Sequence, residues 1–490
     1  MVANPWGFLR HDRTEAPKRP VPERLRDWDP VYGRPAAAAV RVQASRCMDC
    51  GVAFCHAGCP LGNLIPEWNE LVAEDDWREA IERLHATNNF PEFTGWLCPA
   101  PCEASCVLAI NADPVAIKQV ELAIIDRAWD EGWVGARPPA ERTGRRVAVI
   151  GSGPAGLACA QQLTRAGHGV VVYERSDRLG GLLRYGIPDF KMPKRAIDQR
   201  LAQLAAEGTE LQAGVAVGEG GLDPVELRAG VDAVVLATGA LRPRDLDVPG
   251  RDLAGVHQAM DYLPQANRVR TGDLAAPPID AAGKRVVIIG GGDTAADCLG
   301  TANRQGAAGV TQLDHNPRPP EERDVAVNPW PQWPKIHRTS PAHEEGVVES
   351  WAREAVEFLG DEDGHVRGVV TEEVEVVRVD DRRTFRPVPG SRSELPCELV
   401  LVAAGFLGTE PGSLLDRLGV EVDPERGTVR LPGGWETSAP GVFACGDASR
   451  GASLVVWAIA EGRACAAAVD TALSGRTELP APVAPGARPL

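Results

Sequence analysis

Two stretches of this chain, VAVIGSGPAGL and VVIIGGGDTAADCL, repeat one local pattern about 140 residues apart. Each is a short run of β-branched residues, a glycine-rich turn and a helix-forming segment. Such a unit buries its strand only inside a parallel sheet covered by helices. The glycines allow a tight turn, a close backbone approach to a pyrophosphate, and close helix packing. Two such units predict an α/β protein with two Rossmann-like dinucleotide-binding domains, consistent with an old duplication.

The first turn is Gly151-Ser-Gly153-Pro154-Ala155-Gly156, with Glu174 closing the next strand, VVVYE, and Arg175 following it. An acid at that place binds an adenosine ribose diol. The second turn is Gly290-Gly-Gly292-Asp293-Thr294-Ala295, where alanine replaces the third glycine, and Asp314 ends the following strand. Asp314 has two readings. It holds a ribose diol, favouring NADH, or it is a solvated loop acid, with Arg318 or Arg323 meeting a 2′-phosphate. The NADH-versus-NADPH choice stays open at this level. VVLATGALRPRDLDVPG, with Thr238 and Gly239, and GVFACGDAS, with Gly446 and Asp447, resemble segments of flavoproteins of the glutathione-reductase type. That resemblance assigns FAD to the first turn and NAD(P)H to the second. It also brings Asp447 to the flavin ribityl chain and splits the FAD domain in two.

Twelve cysteines are unevenly placed: seven lie between Cys47 and Cys106. Cys159, Cys298, Cys397, Cys445 and Cys465 are scattered and read as small buried hydrophobes. No redox CxxC stands in either dinucleotide unit, so electrons leaving a flavin need another acceptor. The first group runs Cys47-x2-Cys50-x4-Cys55-x3-Cys59-Pro; the second runs Cys98-Pro-x2-Cys102-x3-Cys106. Seven thiolates do not divide into tetrahedral zinc sets. Close spacing completed by distant residues resembles iron–sulfur binding, and seven is one ligand short of two [4Fe–4S] clusters. On the helix expected over 114–131, Glu121 shares an apolar face with Ile117, Ile125 and Ala128. A carboxylate there takes a metal or a cation, or else snorkels out to solvent.

The net charge of −16 and the lack of a basic face argue against nucleic-acid binding. No apolar run is long enough for a membrane span, and the opening residues carry no apolar signal core, so the expectation is a cytoplasmic protein. The expected division is a helical iron–sulfur domain at 1–143, opening with an extended arm, and an FAD domain at 144–280. An NAD(P)H domain follows at 281–404, then the rest of the FAD domain at 405–476 and a disordered tail at 477–490.

The cysteine groups, GSGPAGL, GGLLRYGIPDFKMPK, GGGDTAADC and GVFACGDASRGASLVVWAIAEGR together resemble glutamate synthase small (beta) subunits over nearly the whole chain. NPWGFLR and NPWPQWPKIHRTSPAHEEG look specific to that subunit. The cysteine groups also resemble the N-terminal part of dihydropyrimidine dehydrogenase, where a glutamine completes one cluster at the place of Glu121. The resemblance implies one cluster on Cys47, Cys50, Cys55 and Cys106, and another on Cys59, Cys98, Cys102 and Glu121. It places Gly181, Leu182 and Ile187 beside the isoalloxazine. It implies electron flow from NAD(P)H through FAD and the clusters to a large (alpha) subunit that makes glutamate from glutamine and 2-oxoglutarate. No side-chain acid or base is needed for the hydride step. LDHNPRPPEER departs from the consecutive arginines of the bacterial NADPH-linked pattern. A ferredoxin:NADP transhydrogenase or dihydropyrimidine dehydrogenase subunit is the related alternative, and a non-enzymatic scaffold the third reading; intact glycines, Glu174 and Asp447 count against the third.

Overall fold

The computed structural model describes residues 6–379 and 382–488. The amino-terminal region is helical. Helices Ile65–Ala73, Trp77–Thr87, Pro91–Leu97 and Ile117–Asp130 pack around Trp68, Leu84, Phe90, Phe93 and Ile124, all fully buried. Apolar residues recur every three or four positions, so each helix turns one stripe inward. Asp76 caps the second of these helices by accepting from the Glu79 N–H at 3.1 Å.

Strands then alternate with helices. β1 (Arg146–Ile150), β2 (Gly169–Glu174), β3 (Glu210–Ala213) and β4 (Ala233–Leu236) belong to one sheet. β5 (Val256–Gln258), β6 (Arg285–Ile289), β7 (Gly309–Asp314) and β8 (Val348–Trp351) belong to another. β9 (Arg353–Gly360), β10 (Val366–Val379), β11 (Arg382–Pro387) and β12 (Ser393–Pro396) form an antiparallel sheet inserted before β13 (Leu399–Val402). β14 (Val442–Ala444) closes the set. The first parallel sheet has the order β14-β4-β1-β2-β3 and the second β5-β13-β6-β7-β8. β4 and β13 are buried at every residue, as strands covered on both faces must be. The return of the chain to the first sheet as β14 makes that unit discontinuous, as expected.

Two boundaries differ from the sequence reading. β5 pairs with β13, so residues 256–270 stand with the second unit and the division falls near 255 rather than 280. The strand is three residues long, too short for a periodic signal. The segment after 476, expected to be disordered, lays Leu479 and Val483 on the first unit's core. Arg450 Nη2 donates to the Ala487 carbonyl at 2.8 Å. Residues 489–490 lie outside the described residues.

The helical region and the first unit share a core. Leu183, Met192, Ile197, Leu204, Val456 and Trp457 pack into the cluster that contains the cysteine helices. The arm crosses to the second unit. Arg24, buried, meets Glu344 at 3.0 Å and Glu345 at 3.4 Å. No described helix is long and apolar enough to cross a membrane.

Candidate redox site

A cavity of about 1150 Å³ opens between the helical region and the two parallel sheets. Its wall includes Gly151, Gly153, Pro154, Ala155, Glu174, Arg175, Gly181, Leu182, Ile187, Thr238, Gly239 and Asp447. Those twelve residues, scattered over nearly 300 positions, are thus brought to one place. Behind them the other glycines have packing roles. A Cβ on Gly156 would lie 2.0 Å from the Gly151 carbonyl oxygen, and one on Gly446 would lie 2.6 Å from the Ala155 Cβ. A Cβ on Gly153 would meet nothing within 4 Å, so that backbone faces open space. No side chain caps helix Pro154–Arg165, which leaves its first N–H groups for an anion. This cradle fits a pyrophosphate.

Ser152 locks the turn. Its hydroxyl donates to Glu174 Oε2 at 2.5 Å and accepts the Gly180 N–H at 2.9 Å. Glu174 Oε1 takes the Ser176 N–H at 2.9 Å. Arg175 instead meets Glu410 at 2.7 Å on the rim. Asp447 accepts from the Ser453 hydroxyl at 2.8 Å, and burial pushes its carboxyl up to about 6. Glu461 takes the Gly446 N–H at 3.0 Å and Arg450 Nε at 2.5 Å, so it orients the turn that carries Asp447.

The second fingerprint is arranged differently. Of its residues only Asp293 reaches the cavity wall. Gly290, Gly292, Thr294, Ala295 and Asp314 lie outside it, and the Gly291–Asp293 turn is exposed. A Cβ on Gly290 would lie 2.2 Å from the Ala403 carbonyl, while one on Gly291 would lie 1.8 Å from Asp314 Oδ2. Asp314 Oδ1 takes the Asn316 N–H at 2.8 Å and its side-chain amide at 2.7 Å. Arg318 meets Glu321 at 2.6 Å. Between the two units Lys191 pairs with Asp297 at 2.5 Å, and both line the cavity. Burial pushes the Asp297 carboxyl up to about 6 against the pull of Lys191.

The cysteines separate into two sets. Cys47, Cys50, Cys55 and Cys106 surround a small void of about 20 Å³. Cys59, Cys98, Cys102 and Glu121 lie close enough for their charges to act on one another. Burial, reinforced by the neighbouring acidic groups, pushes Cys98 up to about 12 and Cys59 up to about 11. Cys102 is raised by burial and then by Cys59 and Cys98. Buried thiols with raised pKa values ionise only when a bound metal compensates the charge. No three His, Cys, Asp or Glu among the described residues are grouped for one metal ion. Seven thiols and one carboxylate, divided four and four, are a donor set whose chemistry fits iron–sulfur ligation. Asp49 and Ala100, inside the two cysteine runs, take left-handed backbone at φ +48° and +60°. Such strain is held only where the surroundings demand it.

Glu121 is buried on its helix face, with burial pushing its carboxyl up to about 7. Thr94 Oγ1 and Asn88 Nδ2 both donate to Oε1, at 2.7 and 2.9 Å. The sequence reading did not find these partners, nor Ser152, Lys191, Asp297 or Glu461. A polar residue inside an apolar helix stripe was the available signal for Glu461 and Asp297. Trp330, in the segment NPWPQWP, donates Nε1–H to the Cys106 carbonyl at 3.2 Å, and its ring lies 4.6 Å from that of Phe54, tilted by 50°. The five scattered cysteines are fully buried, as expected.

Residues 145–462 match the pyridine nucleotide-disulphide oxidoreductase family, and residues 24–133 match dihydropyrimidine dehydrogenase domain II, 4Fe-4S cluster. The chain is 58% identical over 495 residues to the glutamate synthase [NADPH] small chain of Mycobacterium tuberculosis, covering all of both chains. It is 43% identical to that of Bacillus subtilis, covering 98% of this chain and 100% of that one. It is 46% identical to glutamate synthase [NADH] of Schizosaccharomyces pombe, covering 97% of this chain but 23% of that one. Among solved structures, FprA from Mycobacterium tuberculosis has a TM-score of 0.55 at 23% identity, covering 68% of this chain and 85% of that one, a likeness of fold. With full-length identity this high, and with the glycine cradle and both cysteine sets in place, the chain belongs to the glutamate synthase small-chain family.

Proposed function

We propose that this chain is the electron-input subunit of a glutamate synthase. It takes a hydride from NADPH and delivers electrons to a large chain that makes glutamate from glutamine and 2-oxoglutarate. In this reading FAD supplies the hydride acceptor and two [4Fe–4S] clusters supply one-electron conduction. Gly151, Gly153 and Gly156 admit the FAD pyrophosphate to the open helix end, and Glu174, held by Ser152 and Ser176, takes the ribose diol. Asp447, steadied by Ser453 and by the Glu461-bound turn, faces the ribityl hydroxyls. Gly181, Leu182 and Ile187 exclude water at the ring end. Gly290, Gly292, Asp293, Thr294 and Ala295 present the second cradle to the nicotinamide dinucleotide. NADPH is chosen because the full-length bacterial relatives carry that name. Cys47, Cys50, Cys55 and Cys106 would hold one cluster; Cys59, Cys98, Cys102 and Glu121 would hold the other, with Oε1 of Glu121 already engaged by Asn88 and Thr94.

One observation carries the reading: the cavity wall that contains the first glycine turn also contains Cys98. Cys98 is in the second set, and no member of the first set reaches that wall. The second set would thus stand next to the cavity, and the first set would supply conduction farther from it. Support for an exit through the first set comes from Cys47 and Cys50, which are half-buried, and from Val52, two residues after Cys50, and Ile110, four after Cys106, 72% and 56% exposed. The test is copurification with the large chain and an assay of NADPH oxidation. Oxidation dependent on both glutamine and 2-oxoglutarate, with about eight iron atoms per chain, is the expected result. NADPH oxidation indifferent to both substrates overturns the proposal.

A further inference from the structure

An electron entering the second cysteine set adds negative charge to a place already rich in acids. Three thiols and Glu121 form the set, and Glu103 follows Cys102 directly. The charges of the surrounding residues therefore decide how readily the site is reduced. Arg13 Nη2 meets Glu103 Oε2 at 2.8 Å, which neutralises that carboxylate. Glu103 Oε1 takes the backbone N–H of Lys118 at 3.0 Å.

The side chain of Lys118 is different from every other cation nearby. A second cavity, of about 570 Å³, lies beside the set and is lined by four cations: Arg13, Arg34, Lys118 and Arg127. Arg34 meets Asp126 at 3.2 Å and Asp130 at 2.7 Å. Arg127 lies within 3.8 Å of Asp75 and over the Trp77 ring at 4.8 Å. Among the described residues the Lys118 ammonium has no hydrogen bond and no ion pair. Lys118 also lines the large cavity, together with Trp96, Leu97, Cys98 and Pro99. It stands one helical turn before Glu121 on helix Ile117–Asp130, so the two share a side of the helix. Its charge acts on both Cys98 and Glu121. A half-buried cation with no ion-pair partner among the described residues thus sits where the large cavity meets the second set.

We propose that Lys118 sets the reduction potential of the second cysteine set, its positive charge favouring the reduced site and easing electron entry from the large cavity. This role rests on the cofactor assignment above. In the transfer concerned, one electron leaves the reduced flavin and enters the cluster, and Lys118 exchanges no proton. Lys118 is a positioning charge and does not itself react.

The test is an anaerobic redox titration of the purified holoprotein, followed by electron paramagnetic resonance. The second set's signal is the one that Glu121→Gln alters. In Lys118→Met the ratio of reduced to oxidised cluster in that signal, at a fixed potential, is expected to fall about tenfold, a midpoint lowered by about 59 mV for a one-electron couple. Lys118→Arg should stay near wild type. Glu103→Gln keeps an acceptor for the Lys118 N–H and removes one carboxylate charge, leaving Arg13 only its longer pair to Glu15 at 3.8 Å, so it should move the midpoint upward. The first set's signal should hold still throughout. An unmoved midpoint in Lys118→Met at full iron content overturns the proposal, as does an equal shift of both signals. Should Lys118→Met lose its iron, Lys118→Gln, which removes the charge but keeps a polar side chain, decides: an unmoved midpoint there overturns the proposal. Wild-type protein without iron would sink the cofactor assignment itself, and the role of Lys118 with it.

Discussion

The two glycine turns obey one local code, yet the fold treats them oppositely. Gly151 packs under the Ala237 carbonyl and Gly290 under the Ala403 carbonyl, at nearly equal separations for an added Cβ. Even the strand starts match. Asp232 accepts the Arg146 N–H, and Glu398 accepts the Arg285 N–H, both at 2.8 Å. The difference is burial. The first turn is walled in, with Ser152 and Glu174 buried behind it. The second is exposed along Gly291–Asp293. A buried cradle suits a group that stays; an open one suits a dinucleotide that binds and leaves in each cycle. On the proposed function, the local code specifies how phosphate is held and the surroundings specify for how long.

The comparison breaks most visibly at its glycines. Gly156→Val should abolish flavin binding, because its Cβ collides with rigid backbone; the purified variant should lack flavin absorbance. Gly290→Ala should keep the flavin yet lose NADPH oxidation. Flavin loss in both, or in neither, would mean that the two cradles do not work independently.

Lys191→Met probes the seam between the units. It leaves Asp297, 2% exposed, without its cation. Removing one partner of a buried pair costs about 3 kcal/mol, to be read as a lower midpoint in denaturant unfolding. Unchanged stability would show the seam to be loose.

Asp314→Ser sharpens the contrast with Glu174. If Asp314 holds a ribose diol, kcat/KM for NADH should fall about tenfold, or about 1.4 kcal/mol, while that for NADPH does not fall. Equal loss with both nucleotides would assign Asp314 to the turn alone. The smallest effect is expected at the matching strand starts. Asp232→Ala and Glu398→Ala should each move the melting temperature by no more than roughly 2 °C, because exposed pairs contribute little.

Much of the site was legible because its pieces are local. Strand, turn and helix follow one another within a dozen residues, so Gly151, Gly153 and Gly156 announce themselves. The cysteine runs do the same, and Glu121 stood out as an acid on an apolar helix face. The partners of these residues were not legible. Asn88 and Thr94 reach Glu121 from 33 and 27 positions away. Trp330 reaches Cys106 from 224 positions away. β5 was missed because three residues carry no period, and the tail because Leu479 and Val483 have no pattern until a core is there to receive them.

Taken alone, the sequence determined the α/β class, the two dinucleotide cradles and the sulfur-rich amino terminus. Those depend on short-range geometry: glycine conformations, helix periodicity and ligand spacing along the chain. Only the tertiary structure decided that the first turn is enclosed while the second is open. It alone set Cys98 on the wall of the large cavity and left the Lys118 ammonium without an ion-pair partner among the described residues. Burial, cavity walls and charge balance are sums over residues distant in the chain, so no window of sequence contains them.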